Sequence, residues 1–181
     1  MMALFEAYEP TVEVNGETVL SVVEGLSSFK DAALTMLKEN GIDDPQPGKW
    51  YPQQAWLDTF KRISESLGFQ SLKQIGKTIP EHAQWPPHVN SIRSALESID
   101  TAYHMNHRNG RIGNYKFVST GDNSGLMVCD NPYPDEFDQG IIEAVAEKFK
   151  KGNQKVEIEI DQTKPKRSKG ADSTTYIIRW E

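Results

Sequence analysis

The spacing of apolar residues changes character at Asn109-Gly110, and that change limits the possible folds more than any other feature. Before Asn109-Gly110, apolar residues recur every three or four positions, as on one face of an α-helix. After it, four segments show the one-by-one alternation of a half-buried β-strand, and one segment between them keeps the helical spacing. The sequence therefore predicts a helical half over about residues 1–110 and a strand-rich half over about residues 111–181, within a single domain of 181 residues.

The second half is predicted to run strand, strand, helix, strand, strand. "NYKFVSTGDNSGLMVCD" has the pattern of a β-hairpin, and "PDEFDQGIIEAVAEKFKKG" has acids in its first turn and lysines in its last, as a helix dipole favours. Two alternating strands, "KVEIEID" and "TTYIIRW", follow. The predicted fold class is α+β, with the N-terminal helical half packed on a C-terminal mainly antiparallel sheet of β-β-α-β-β order.

Turn formers mark the helices of the first half. One helix is predicted over "SSFKDAALTMLKENGI", with a Ser cap and a stop at Asn40-Gly41. A second ends at Gly68, a shorter one surrounds Leu72 and Ile75, and the Pro-rich loop "IPEHAQWPPH" follows. The last helix of this half is predicted to end at Asn109-Gly110.

Residues 12–26 fit two different structures. Asn15-Gly16 tolerates the positive φ angles of a tight hairpin turn. Alternatively, Asn15 caps a short helix. The apolar face of that helix would consist of Val19, Val22, Val23 and Leu26. Both alternatives stay open from the sequence, and the apolar face favours the helix.

Composition argues against several functional classes. The net charge is −6 and the isoelectric point is about 5.3. Binding to the phosphate backbone of nucleic acids needs clustered Lys and Arg, so an acidic protein is a poor candidate for it. The basic segment "KPKRSKG" lies between two predicted strands and is interpreted as a solvated loop. No window approaches the ~20 apolar residues of a membrane span, and the first residues lack the charge pattern of a signal peptide. A single cysteine permits no intrachain disulfide, so a cytoplasmic protein is predicted.

Two histidines at the end of the last predicted helix are the most informative polar residues. His104 lies one helical turn after Asp100, so the imidazole and the carboxylate can converge on one cation. His107 projects near the edge of the apolar stripe. The alternative is that both histidines only close the helix, where a cation suits the dipole. No further zinc ligand can be placed from the sequence, so zinc is not expected.

Catalytic motifs are not recognised in the sequence. A Cys-His pair would need Cys129, but "GLMVCD" is an apolar strand in which a buried, unreactive thiol is the common outcome. The acidic segment "DNPYPDEFD" lacks the ligand spacing of an EF-hand. Within it, Asp130 and Asn131 fit a turn and Asp135 fits a helix cap. We therefore do not expect an enzyme.

Aromatic residues cluster near two Pro-rich loops of the first half, "DDPQPGKWYP" and "IPEHAQWPPH". Trp50, Trp56 and Trp85 flank these loops. Aromatic clusters of this kind line apolar ligand pockets, and they also occur in ordinary cores. The residues alone leave both interpretations open.

The order of segments resembles a known family over most of the chain. The haem-nitric-oxide/oxygen binding (H-NOX) domain, and its relatives in the 4-vinyl reductase and TRAPP superfamily, also place a helical half before a β-β-α-β-β half. The segments that carry the resemblance are "ALESIDTAYH", "SGLMVC", "GIIEAVAEKF" and "KVEIEI". By that order, His104 falls where the histidine that ligates haem iron stands in H-NOX proteins.

Two departures from the family affect the expected ligand. The Tyr-x-Ser-x-Arg motif that holds the haem propionates is replaced by "CDNPY" at residues 129–133, so an acid is present where an arginine is expected. The zinc-binding cysteines of the 4-vinyl reductase ending are replaced in "PKRSKGADSTTYIIRW" by Lys, Arg, Ser and Thr. Haem held by His104 and another apolar molecule both remain expected ligands, with the apolar molecule favoured.

The resemblance implies a non-enzymatic sensor or ligand-binding domain that signals through a partner protein, such as a histidine kinase or a cyclase. Its pocket is expected between the helical half and the sheet, with His104 as the main polar anchor and, if haem binds, as the metal ligand. The expected ligand-binding residues are His104, Asp100, His107, Trp56, Phe60, Tyr103 and Leu126. The alternative is a structural or adaptor protein that uses the fold as a dimerisation surface, in a homodimer, without a ligand.

Overall fold

The computed structural model describes residues 4–83 and 85–181. Within them the helices are α1 (Gly16–Gly25), α2 (Lys30–Glu39), α3 (Gln53–Leu67), α4 (Phe69–His82), α5 (Ile92–Met105) and α6 (Asp135–Phe149). Residues 1–3 of the predicted domain, and Gln84 of the predicted second Pro-rich loop, lie outside the described residues. No helix in the described part of the chain is both long and apolar enough to cross a bilayer.

The strands form a small sheet and a main sheet. They are β1 (Glu13–Asn15), β2 (Trp50–Pro52), β3 (His107–Arg108), β4 (Asn114–Gly121), β5 (Ser124–Asp130), β6 (Val156–Ile160) and β7 (Thr174–Trp180). The small antiparallel sheet has the order β2-β1-β3, and the main sheet has the order β4-β5-β7-β6 with antiparallel neighbours throughout. Since α6 lies between β5 and β6, the predicted α+β class and β-β-α-β-β order are confirmed. The small sheet was not predicted, because strands of two or three residues are too short to show an alternation.

The segment with two predicted alternatives forms a helix. Asn15 is the N-cap of α1, and its side-chain oxygen accepts a hydrogen bond from the backbone N–H of Thr18 at 3.0 Å. The predicted apolar face is buried and consists of Val19, Val22, Val23 and Leu26. The same asparagine ends β1, so the cap also joins α1 to the small sheet.

Three helix ends differ from the prediction. α2 begins at Lys30, and no serine side chain caps it. α4 is longer than predicted and continues through Pro80 to His82, because its packing against α1, α3 and α6 outweighs the backbone hydrogen bond that proline removes. α5 ends at Met105, earlier than the predicted turn, because the next residues form β3 and pair with β1.

Glycines allow α4 and α6 to pack backbone against backbone. A Cβ atom on Gly76 of α4 would collide with the carbonyl oxygen of Phe137. A Cβ atom on Gly140 of α6 would collide with the carbonyl oxygen of Lys73. Since these obstacles are backbone atoms that cannot rotate away, a larger residue at either position would force the two helices apart.

The main sheet has one face against the helices and one face turned away from them. The buried residues on the helical face include Tyr115, Met127, Cys129, Tyr176 and Ile178. Strand alternation places Val118, Leu126, Val128 and Ile177 on the opposite face, which is called the outer face below. The core of the protein therefore lies between the helices and the first of these two faces.

A buried ion-pair cluster joins the loop after β6 to the start of α6. Arg167 is 4% exposed, and its guanidinium lies 3.1 Å from a carboxylate oxygen of Asp135 and 2.5 Å from one of Asp138. It also donates a hydrogen bond to the backbone carbonyl of Asn131 at 2.8 Å. The hydroxyl of Thr174, at the start of β7, donates to Asp135 at 2.6 Å. The cluster therefore fastens three segments of the second half together.

The cluster corrects two expectations from the sequence. Arg167 belongs to "KPKRSKG", which is predicted to be a solvated loop, and Asp135 is predicted to be a helix cap, whereas Pro134 holds the N-cap position. Both residues can be buried because each neutralises the other, and a local pattern cannot show this at a separation of 32 residues. Burial raises the pKa of Asp138, and the charge of the Arg167 guanidinium opposes that rise.

We expect Arg167→Met to lower the free energy of unfolding by about 3 to 5 kcal/mol, because it leaves two buried carboxylates without a partner. The matched control is Arg179→Met. Arg179 also pairs with a carboxylate, Glu159 at 3.2 Å, but both side chains are exposed, so the expected loss is below about 1 kcal/mol. Urea unfolding followed by circular dichroism measures both values. Equal losses for the two variants would contradict a structural role for the buried cluster.

Candidate functional site

A narrow apolar cavity lies where α4, α5 and α6 meet β4. Its volume is about 40 Å³. The apolar side chains that line it include Ile79, Ile99, Ala102, Phe137 and Ile141. One water molecule needs roughly 10–15 Å³ of such space, and pockets for drug-sized ligands measure roughly 300–1,000 Å³. The cavity is therefore suited to a molecule of a few heavy atoms.

A directed chain of hydrogen bonds forms the polar part of the cavity wall. His107 Nδ1 lies 2.9 Å from the backbone carbonyl oxygen of Tyr103, so Nδ1 carries the proton and donates it to that oxygen. His107 Nε2 is then an acceptor, and the hydroxyl of Tyr133 donates to it at 2.8 Å. Gln53 Nε2 donates in turn to the Tyr133 hydroxyl oxygen at 3.2 Å. The order Gln53, Tyr133, His107, Tyr103 follows from donor and acceptor chemistry alone.

Burial keeps the titratable side chains that line the cavity uncharged. It lowers the pKa of His107 to about 4, and the positive charge that His104 can carry lowers it further, while the hydrogen bond to the Tyr103 carbonyl acts in the opposite direction. Protonation of Nε2 would also remove the acceptor of the Tyr133 hydroxyl. Burial raises the pKa of the Tyr103, Tyr115 and Tyr133 phenols. These four side chains therefore carry no charge near pH 7.

The outer end of this chain holds two buried polar atoms without partners. Among the described residues, the side-chain oxygen of Gln53 and the indole nitrogen of Trp56 accept and donate no hydrogen bond. The indole lies beside the Tyr133 hydroxyl and partly offsets the rise in that residue's pKa, although its geometry falls short of a hydrogen bond. Unsatisfied buried polar atoms are uncommon in folded proteins, and these two lie behind Tyr133, outside the lining of the cavity.

His104 lies outside the cavity. Its side chain is 48% exposed, and its Nδ1 atom is 2.9 Å from the backbone oxygen and 3.6 Å from the carboxylate of Asp100. The predicted Asp100–His104 pair therefore forms, but on the solvent side of α5. The imidazole at the cavity belongs to His107, because the helix ends at Met105 and the chain turns inward to form β3. Helical spacing already places His107 near the edge of the apolar stripe, whereas the expectation that His104 is the main anchor follows from the order of segments in the H-NOX resemblance.

The other expected ligand-binding residues are distributed over three places. Tyr103 lines the cavity beside His107, with ring centroids 4.5 Å apart. Trp56 and Phe60 are fully buried in α3 and lie behind the wall, where Phe60 contacts the lining ring of Phe137 at 4.8 Å between centroids. Leu126 lies on the outer face of the main sheet, away from the cavity.

Sequence reasoning missed Tyr133 and Asn106. Tyr133 lies between two prolines, where no periodicity distinguishes an inward-pointing aromatic residue from a turn residue. Asn106 also lines the cavity, and its side-chain oxygen accepts a hydrogen bond from Asn15 at 2.6 Å. The pair is separated by 91 residues, so only the three-dimensional structure reveals it.

The remaining reactive groups show no catalytic or metal-binding arrangement in the residues that the structure describes. Cys129 is fully buried, and burial raises the pKa of its thiol, whereas a nucleophilic cysteine needs a lowered pKa. No group of three or more His, Cys, Asp or Glu side chains lies close enough to hold a metal ion within residues 4–83 and 85–181.

No family model matches the sequence, and no curated protein matches it significantly. Solved structures do match. An H-NOX protein from S. oneidensis in the Fe(II)NO ligation state is 15% identical, with a TM-score of 0.65 over 91% of this chain and 98% of that chain. A variant of the T. Tengcongensis H-NOX protein is 13% identical, with a TM-score of 0.66 over 92% of this chain and 97% of that chain.

A third match is an oxygen-binding H-NOX domain related to soluble guanylate cyclases, in its oxygen complex. It is 13% identical, with a TM-score of 0.61 over 92% of this chain and 94% of that chain. Identities this low support a statement about the fold and not about the ligand. The resemblance found in the sequence is thus confirmed for the fold: this chain has the H-NOX fold.

Proposed function

We propose that this chain is a non-catalytic ligand-binding domain that senses one small, uncharged, apolar molecule in the cavity between α4, α5, α6 and β4, without haem. The observation that carries the proposal is the cavity itself, whose lining is mainly apolar and whose His107 and Tyr133 side chains satisfy each other by a hydrogen bond. A ligand there needs neither charge nor hydrogen bonds. Apolar contact with side chains such as Ala102 and Ile141 supplies its affinity.

Haem does not fit the residues at this site. A cavity of about 40 Å³ is far smaller than pockets for ligands of the size of a porphyrin, which begin at roughly 300 Å³. Both ring nitrogens of His107 are engaged, by the Tyr103 carbonyl and by the Tyr133 hydroxyl. His104 has a more accessible ring, but it lies on the solvent side of α5. Neither imidazole is placed to ligate iron inside the cavity.

The charges near the cavity also disfavour a dianionic ligand. Arg167, the buried arginine of this region, is neutralised by Asp135 and Asp138 of the chain itself. Asp138 is fully buried, so an added carboxylate would meet a like charge in a medium of low polarity. The propionates of haem would find no free cationic partner in this cluster.

A signalling role needs a partner protein. We propose that the partner binds at the junction of α5 and β3. Asn106 and His107 belong to this junction and line the cavity, so occupancy of the cavity acts on it directly. Met105 and His104 lie at the same end of α5 and are exposed, Met105 by 41%. A partner that binds these side chains would sense a shift of the junction.

The second candidate function is an adaptor that binds no ligand. It is favoured by the outer face of the main sheet, which carries apolar side chains away from the helices. An adaptor does not need the cavity, so filling the cavity would leave its function intact. The ligand test below separates the two candidates.

Haemin added to the purified protein should give no saturable Soret band at one equivalent, because neither imidazole is free inside the cavity. The titration is run on wild type, His104→Ala and His107→Ala, with absorption spectra and with the melting temperature as an independent readout. We expect the three titrations to coincide and the melting temperature to stay constant. A stoichiometric band that one of the two variants abolishes would overturn the haem-free proposal and identify the ligating histidine.

Xenon, an uncharged apolar probe of the right size, should bind in the cavity. In ¹H–¹⁵N correlation spectra under xenon pressure, amide shifts should concentrate at Ala102 and its neighbours. Ala102→Val fills the cavity and should abolish these shifts. Ala144→Val, on the far side of α6, is the matched control and should keep them. Shifts that are absent in wild type, or equal in the two variants, would contradict a ligand site here.

Stability should fall below pH 6.5 because of His107. Its pKa is about 4 in the folded protein and about 6.5 in the unfolded chain, so the unfolded state binds the extra proton between these values. The loss should reach about 3 kcal/mol between pH 7 and pH 4. His107→Gln keeps a polar group at this position and should lack this component of the pH dependence. Parallel pH profiles from urea unfolding would contradict the neutral, buried state of His107.

A further inference from the structure

Asparagine precedes glycine three times in this chain, at residues 15–16, 40–41 and 109–110. An asparagine in this position can lose its side-chain amide spontaneously, because glycine has no side chain that keeps the asparagine Cγ away from the next backbone nitrogen. The reaction needs a glycine N–H that is free of hydrogen bonds and an asparagine side chain that can move towards it. The fold meets these two conditions differently at the three pairs.

The first pair is buried and fully hydrogen-bonded. The backbone N–H of Gly16 donates to the carbonyl oxygen of Lys49 at 2.8 Å. The Asn15 side chain is 5% exposed, accepts a hydrogen bond from the N–H of Thr18 at 3.0 Å and donates one to Asn106 at 2.6 Å. Reaction at Asn15 therefore requires a prior local opening of the structure.

The second pair is held by the C-terminal turn of α2. The N–H of Gly41 donates to the carbonyl oxygen of Lys38 at 3.0 Å. The side-chain nitrogen of Asn40 donates to the carbonyl oxygen of Met36 at 2.8 Å. Both groups that would react are engaged with the helix backbone, so this pair also has to open first.

The third pair lies on the surface directly after β3. Asn109 and Gly110 are both exposed. The N–H of Gly110 donates a hydrogen bond to no residue that the structure describes, and the strand pairing of β3 with β1 ends before it. The Asn109 side chain donates from Nδ2 to a carboxylate oxygen of Glu13 at 2.7 Å, in an exposed contact. The nitrogen that would attack is therefore free without any opening of the fold.

A neighbouring hydroxyl favours the reaction at this third pair. Thr11 Oγ1 donates a hydrogen bond to the backbone carbonyl oxygen of Asn109 at 2.7 Å. That carbonyl and the N–H of Gly110 belong to one planar peptide unit, so the negative charge that forms when the nitrogen loses its proton spreads to the carbonyl oxygen. The Thr11 hydroxyl is already placed to stabilise the charge there.

We infer that Asn109 is a site of spontaneous deamidation. The Gly110 nitrogen gives its proton to a base in the solvent and attacks Cγ of the Asn109 side chain. The C–N bond of the side-chain amide breaks, and its nitrogen takes up a proton and leaves as ammonia. One water molecule then opens the resulting succinimide ring at either carbonyl carbon, which gives aspartate or isoaspartate. The net reaction consumes one water, releases one ammonia and needs no oxidant or reductant.

The product changes the contact between β1 and β3. A carboxylate at residue 109 cannot donate to Glu13 and places a second negative charge beside it. Arg108, whose Nε lies 2.6 Å from the same oxygen of Glu13, balances one of the two charges. Isoaspartate also lengthens the backbone by one carbon atom, two residues after His107. The reaction therefore alters the α5–β3 junction slowly and irreversibly. It requires no ligand in the cavity, so the inference goes beyond the proposed function.

Prolonged incubation of the folded protein at mildly alkaline pH, followed by chymotryptic digestion and tandem mass spectrometry, tests the inference. Asn109 should deamidate at least about tenfold faster than Asn15 and Asn40, because those two residues react only after a local opening. The rate at Asn109 should rise with pH, since the attack requires loss of the Gly110 proton. In concentrated urea the three pairs should react at similar rates, because the structure that distinguishes them is lost.

Thr11→Val and Thr11→Ser are the matched variants, and Thr11 is exposed, so both should fold. Thr11→Val removes the hydroxyl donor and should slow the reaction at Asn109 several-fold in the folded protein but not in urea. Thr11→Ser keeps the donor and should react like wild type. Equal rates at the three pairs in folded wild type, or a Thr11→Val variant that reacts at Asn109 as fast as wild type, would overturn the inference.

Discussion

The close contact of α4 and α6 is the constraint on which the interior of this protein depends. Gly76 and Gly140 bring the two helix backbones together at a distance that no side chain permits. The cavity lies between the same two helices and α5, so their separation limits its width. A cavity of about 40 Å³ is the consequence. The fold that this chain shares with H-NOX proteins therefore encloses far less space here than a porphyrin requires.

The polar rings of His107 and Tyr133, which line the cavity, satisfy each other and need no ligand. His107 is held neutral by burial, and its two nitrogens are engaged by the Tyr103 carbonyl and the Tyr133 hydroxyl. The nearest strong charges, those of Arg167 and Asp138, neutralise each other. Burial of a charge without a partner costs free energy in such surroundings. The site therefore favours uncharged molecules and disfavours a cofactor that carries two carboxylates.

The sequence predicted the elements well and the site only in part. The apolar stripes of α1 and α6 and the alternation of the main-sheet strands follow from burial on one face, which is a local property of the chain. The choice between His104 and His107 depends on where α5 ends, and that is decided by the pairing of β3 with β1 across more than ninety positions. Helical projection already places His107 nearer the apolar stripe, and the expectation that His104 is the anchor came from the order of segments in the H-NOX resemblance, which carries no information about where α5 ends.

By itself the sequence determined the α+β class, the order of its two halves and the absence of an intrachain disulfide, and it left residues 12–26 open between a hairpin and the helix that forms. These follow from the spacing of apolar residues and from composition, which act over a few residues at a time. Only the tertiary structure decided that Arg167 is buried, that His107 rather than His104 reaches the cavity, and that Leu126 faces away from it. Each of these depends on a partner distant in sequence, because a buried polar group persists only where another segment of the chain satisfies it.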